Sequence, residues 1–164
     1  MYIIIGDNMF SNELICNILI YINDNLKHKI SIQTLEEKFY YNRYYIMKLF
    51  KKEIGLTITN YINSLKIYSA IKSIESTNNN MLNIALTNGF NSLEYFSEMC
   101  KKITGASPTT IKNYLHNRNN IDEDTKIKIT NSINNLYNIS NIKKDYLSKR
   151  KIKDNLIKKL TIFK

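Results

Sequence analysis

Between Asn42 and Lys52 the chain reads NRYYIMKLFKK, and this short run places four cations beside exposed-type aromatic and thioether side chains. On a helix, Ile46, Leu49 and Phe50 share one face. Tyr44, Met47, Lys48 and Lys51 share the other, with Arg43 beside them in the first turn. Such a face suits a nucleic-acid duplex. A lysine ammonium reaches guanine O6 and N7 in the major groove, and tyrosine and methionine offer apolar contact to a thymine methyl. Lys51 and Lys52 suit phosphate oxygens, which position a protein without reading sequence. A Tyr and Met stripe on an arbitrary helix is more often packing, but here Ile46, Leu49 and Phe50 already fill the core face.

Fifty residues later the pattern returns. FKKEIG at 50 to 55 is matched by CKKITG at 100 to 105, and the candidate N-cap Asn42 by Ser92. Upstream of the caps the offset is forty-nine, pairing Leu35 with Ile84, so the second turn, Gly89-Phe90-Asn91, is one residue longer than Tyr40-Tyr41. Phe96, Met99 and Cys100 form the inward stripe of the second copy. Leu93, Glu94, Ser97, Glu98 and Lys101 face outward, with Ser92 and Lys102 completing the candidate contact set. This face is acidic. A glutamate can accept from cytosine N4, yet beside phosphates it lowers affinity. Net charge is +4 over residues 31 to 72 and +1 over 81 to 112, so the first copy is expected to supply most of the affinity. Glu36 replaces Ala85 and Tyr40 replaces Gly89 in that copy, so its turn must avoid positive φ or accept a cost.

The run from Ile84 to Pro108 supplies a family resemblance. Ile84, Ala85, Gly89, Phe90, Ser92, Tyr95, Phe96, Lys101, Lys102, Gly105, Ser107 and Pro108 fall in register with the signature I-A-x-x-x-G-F-x-S-x-x-Y-F-x-x-x-F-K-K-x-x-G-x-S-P. In this the chain resembles the AraC/XylS family of bacterial transcription regulators, over about residues 11 to 112. Two positions depart: Cys100 stands for the usual core Phe, and Glu98 where family members commonly carry a base facing DNA. The resemblance implies an all-α fold of two three-helix helix-turn-helix subdomains joined by a long linker helix. It also implies sequence-specific binding of double-stranded DNA, an activator's role, RNA polymerase as a further candidate partner, and a cytoplasmic location with no cofactor.

The remaining pattern organises itself around these two units. Residues 1 to 10 have no usable period, and Leu14, Ile15, Ile18, Leu19, Ile22 and Leu26 mark a first helix from near Ser11. Ser31 is the expected N-cap of the next helix, carrying Ile32, Leu35 and Phe39. The first unit is thus placed at 11–56, the linker helix at 57–76 and the second unit at 77–112, closed by a capped stop at Ser107-Pro108. At 1.5 Å per residue the linker spans roughly 25 Å. Recognition helices at about 43–52 and 93–102, held near one DNA turn or about 34 Å apart, would enter successive major grooves.

Residues 113–164 form a basic C-terminal extension that carries +7 of the net charge of +10. Ile129, Ile133 and Leu136 or Tyr137 predict one helix there. Ile152, Leu156, Leu160 and Phe163 predict a final one, with Lys149, Lys153, Lys158 and Lys164 on its other face. Three readings of this tail are open: a phosphate-binding arm, a membrane-surface helix, or a soluble helix packed on its neighbour. Neither flank of the two units has the length of a typical sensory domain.

Catalytic and metal chemistry find no support. His28 and His116 are isolated, Asp122-Glu123-Asp124 has no clustered partner, and Gly6, Gly55, Gly89 and Gly105 form no phosphate loop. Cys16 and Cys100 sit on apolar faces without metal-ligand spacing and read as reduced core thiols. The opening MYIII is too short for a membrane span and lacks the basic flank of a signal peptide. A second class of function stays open: a protein-interaction module that keeps the fold but, with Glu94 and Glu98 on its second reading face, has weak or no DNA binding.

Overall fold

The computed structural model describes the backbone of residues 3–117 and 121–162, and the side chains of 13–117 and 121–151. Regular structure among the described residues is wholly helical. In chain order the helices are α1 (Ile3–Asp24), α2 (Ile32–Phe39), α3 (Arg43–Ile54), α4 (Ile58–Ser76), α5 (Met81–Thr87), α6 (Leu93–Thr104), α7 (Pro108–Leu115) and α8 (Glu123–Ile162). They form two compact units. The first comprises residues 1–24, 31–57 and 141–164, and the second residues 25–30 and 58–140.

In the first unit, α3 packs against α1 and α2. The apolar stripe of α1, Leu14, Ile15, Ile18, Leu19 and Ile22, is buried, as are Leu35, Ile46, Leu49 and Phe50. Helix ends follow the predicted caps. The Ser31 hydroxyl accepts from the Thr34 N–H and the Asn42 side chain from the Tyr44 N–H. Each satisfies one of the N–H groups that the first turn of a helix leaves unpaired. Gly55 closes α3 in the left-handed region at φ 83°, its N–H bonded to the Lys51 carbonyl.

The second unit is built on α4, which packs against α5, α6 and α7. Its core joins Ile67, Ala70, Ile71 and Ile74 of α4 to Ile84, Phe90, Phe96, Met99, Cys100 and Ile111, with Ile129 and Leu136 of α8 completing it. The start of α8 is bonded in place as well: Tyr114 and Thr130 share a 2.8 Å hydroxyl hydrogen bond, and the Ser132 hydroxyl donates to the Thr104 carbonyl.

Three local features differ from the sequence reading. Helix α1 starts at Ile3, eight residues before the expected start near Ser11. Ser107-Pro108 starts a helix where a stop was expected: Ser107 accepts from the Thr110 N–H and Pro108 takes the first helical position, where its missing N–H costs nothing. The extension after residue 122 is one helix of 40 residues, not two. It contains neither Gly nor Pro, so nothing interrupts it. Its opening portion is core of the second unit. Ile152, Leu156, Leu160, Phe163, Lys153, Lys158 and Lys164 lie outside the residues whose side chains are described.

Candidate nucleic-acid interface

The Asn42 cap and the burial of Ile46, Leu49 and Phe50 fix how α3 is rotated, and its opposite face is open from Arg43 to Lys52. Arg43, Tyr44, Tyr45, Met47, Lys48, Lys51 and Lys52 are all exposed, Tyr44 by 75% and Met47 by 49%. Every first-copy residue expected at the interface is therefore on one accessible helix. Sequence reasoning missed an aromatic continuation of this face into the turn. Tyr40 is 93% exposed, and the Tyr41 and Tyr45 rings stack 5.6 Å apart. Their i, i+4 spacing across the cap was the available signal.

Several of these cations have partners. The Arg43 guanidinium donates to Glu36 through Nε and lies 2.9 Å from it through Nη2, and the Arg43 N–H donates to the same carboxylate at 3.1 Å. The backbone bond, with the guanidinium behind it, holds the Glu36 carboxyl below the usual carboxylate range. Lys51 donates to the Gly55 carbonyl at the end of its own helix. Lys52 stands 4.0 Å from Glu53. Lys48 is exposed midway along the outer face.

In the second unit the Ser92 hydroxyl caps α6 by accepting from the Tyr95 N–H, and Phe96, Met99 and Cys100 are buried. Glu94, Glu98, Lys101 and Lys102 are exposed as expected. The open stripe is narrower than the sequence reading drew it: Leu93 is half-buried against the core and Ser97 is half-buried too. Tyr95, 42% exposed and tilted against Phe90 at 6.1 Å, joins the accessible face instead.

The turn preceding α6 is held by α4 in a way that periodicity did not reveal. Lys66 is buried, and its ammonium donates a 2.6 Å hydrogen bond to the Gly89 carbonyl. Asn88, also buried, donates to the Ile84 carbonyl and the Ser73 hydroxyl and accepts from the Ser69 hydroxyl. Gly89 has φ 80°, and a Cβ there would lie 2.9 Å from the Leu26 carbonyl oxygen. The first turn solves the same problem without glycine: Tyr40 itself adopts φ 59°. The cost anticipated for that residue is accepted.

Comparison with known proteins places this geometry. The chain matches the helix-turn-helix domain family over residues 35–114. It is 29% identical over 100 residues to the HTH-type transcriptional activator AarP of Providencia stuartii, covering 61% of this chain and 74% of that protein. A structure of a protein of unknown function from Listeria innocua is 32% identical and superposes with a TM-score of 0.56, over 59% of this chain and 92% of that one. A transcriptional regulator of the AraC type from Chromobacterium violaceum shares the fold at 17% identity and a TM-score of 0.56, over 67% of this chain and 96% of its own. With its two capped helix-turn-helix copies and the signature from Ile84 to Pro108, the chain belongs to the AraC-type family of transcription regulators.

Proposed function

We propose that the protein is a sequence-specific, double-stranded DNA-binding transcription regulator, and an activator, as AarP is named. Its α3 and α6 would enter successive major grooves. The observation that carries this reading is the outer face of α3, where aromatic, thioether and cationic side chains stay exposed although the core is complete without them. Tyr44, Met47 and Lys48 would meet base edges, and Lys51 and Lys52 phosphates, with Arg43 at the start of the face. On α6, Glu94 and Glu98 would accept from cytosine N4, flanked by Ser92, Leu93 and Ser97, while Lys101 and Lys102 hold the backbone. RNA polymerase would be the second partner, and the cytoplasm the site of action. Among the described residues no helix is long and apolar enough to cross a membrane.

Selection of bound duplexes from a random pool tests the reading directly. The expected result is a defined site spanning two successive grooves, with affinity falling steeply as salt rises from about 50 to about 200 mM. No retention on any duplex across that range would leave the fold intact and make the chain a protein-interaction module instead.

A further inference from the structure

We propose that Glu36 is an internal competitor for a DNA phosphate, occupying the N-terminus of the first recognition helix and withholding Arg43 from the backbone of the duplex. The inference rests on the duplex-binding reading above. The first turn of any helix leaves N–H groups unpaired, and that end attracts anions. In α3 the Asn42 side chain takes the Tyr44 N–H, and the Arg43 N–H is among those left for another acceptor. One oxygen of Glu36 takes that N–H at 3.1 Å, and the other accepts from Arg43 Nε at 2.9 Å. A backbone N–H beside a forked guanidinium is the arrangement that a phosphate's oxygens would otherwise occupy.

The second copy shows what the first unit would look like without this contact. Ala85 stands in place of Glu36 and Leu93 in place of Arg43, so α6 has no counterpart of this carboxylate–guanidinium pair, although Glu94 lies in its own first turn. The pair belongs to the first copy alone. Its side chains remain 27% and 48% exposed, so a phosphate can approach them. Taking Arg43 would mean breaking charge-assisted bonds and leaving the Glu36 carboxylate beside the incoming anion. Lys51 and Lys52 are then the cations that neutralise phosphate in the first unit, and Arg43 contributes little.

The full-length chain and its Glu36→Gln and Arg43→Gln variants decide this on the selected duplex, by affinity as a function of salt. Glu36→Gln is expected to bind about fivefold more tightly at 150 mM salt, with the log–log slope steeper by about 0.9, one additional phosphate's worth of released counterions. Arg43→Gln alone is expected to leave affinity and slope nearly unchanged, and to cancel the gain when combined with Glu36→Gln. An unchanged or weaker Glu36→Gln would overturn the proposal, as would a slope reduced by about one in Arg43→Gln alone. If Glu36→Gln melts before it can be assayed, the Arg43→Gln arm decides by itself. Wild-type chain that binds but does not respond to Glu36→Gln removes only this proposal; failure of every variant to bind any duplex removes the duplex-binding reading with it.

Discussion

The ammonium of Lys66 on α4 donates a 2.6 Å hydrogen bond to the carbonyl oxygen of Gly89, in the turn between α5 and α6, and lies 5.9 Å from the centre of the Phe90 ring. A cation from α4 thus holds the turn that leads into α6. Burial lowers the pKa of this lysine, so the charge is retained against a desolvation cost. Lys66→Met is expected to lower stability by about 1–2 kcal/mol at neutral pH, because the Gly89 carbonyl loses its partner in a largely buried turn. Urea unfolding checks this. A stability equal to or above wild type would mean that the desolvation of the charge outweighs the bond.

The two turns of the repeat predict opposite responses when a Cβ is added at one left-handed residue and removed at the other. Gly89→Ala meets both a positive φ and backbone atoms 2.9 to 3.1 Å from the new Cβ, and is expected to cost about 2 kcal/mol or more. Tyr40→Gly removes a side chain that is almost wholly exposed from a left-handed residue, relieving about 1 kcal/mol of backbone cost while adding unfolded-state entropy. Its stability should stay within about 0.5 kcal/mol of wild type or rise, in the same urea unfolding assay.

These two turns show how far the sequence was legible. Spacing alone placed the caps Ser31, Asn42 and Ser92, and the inward sets of α3 and α6, because apolar periodicity and capping chemistry are local. It also marked Tyr40 as the residue with a conformational problem. What spacing did not carry was long-range polar contact. Lys66, Ser69 and Asn88 look like ordinary solvated residues until α4 brings them to one turn, and Glu36 looks like a helix-surface charge until Arg43 is folded onto it. Ser107-Pro108 failed differently: the same two residues that end one pattern are the cap and first position of the next helix. In the C-terminal extension, two apolar patterns separated by a polar stretch were read as two helices, although no residue there breaks a helix.

Alkaline stability isolates Cys100. Burial pushes its thiol from 9.0 up to about 11, against a smaller opposing hydrogen bond from Thr104. The unfolded thiol releases its proton first, so the native state binds more protons between those two values. The stabilisation is fully present below pH 9 and is lost as pH rises towards 11. Lys66 acts in the other direction: its folded pKa lies below that of the unfolded chain, so its effect raises stability as pH climbs towards 10.5. Cys100→Ala removes only the first effect. Relative to this variant, wild type is expected to lose about 2 kcal/mol between pH 9 and 11, most of the two-unit shift at 1.36 kcal/mol per unit. Parallel stability curves for the two proteins would contradict the assignment.

Tyr44 and Met47 give the outer face of α3 its apolar character, and a duplex can be altered to ask whether they use it. Replacing thymine by deoxyuridine removes the 5-methyl group and leaves base pairing and the phosphate charge alone. If Met47 or Tyr44 packs on such a methyl, each contacted thymine so replaced should cost about 0.8 kcal/mol, roughly fourfold in affinity, with the salt slope unchanged. Lys48→Ala should behave in the complementary way, weakening binding and, where the ammonium meets phosphate, flattening the slope by about one. Glu98→Ala on α6 should cost less than Lys48→Ala, since the first unit has the greater positive charge. The methyl effect should vanish in Tyr44→Ala or Met47→Ala, whichever side chain makes the contact. Sensitivity to deoxyuridine that survives both substitutions would move the thymine-reading surface off α3, to the exposed Tyr95 of α6.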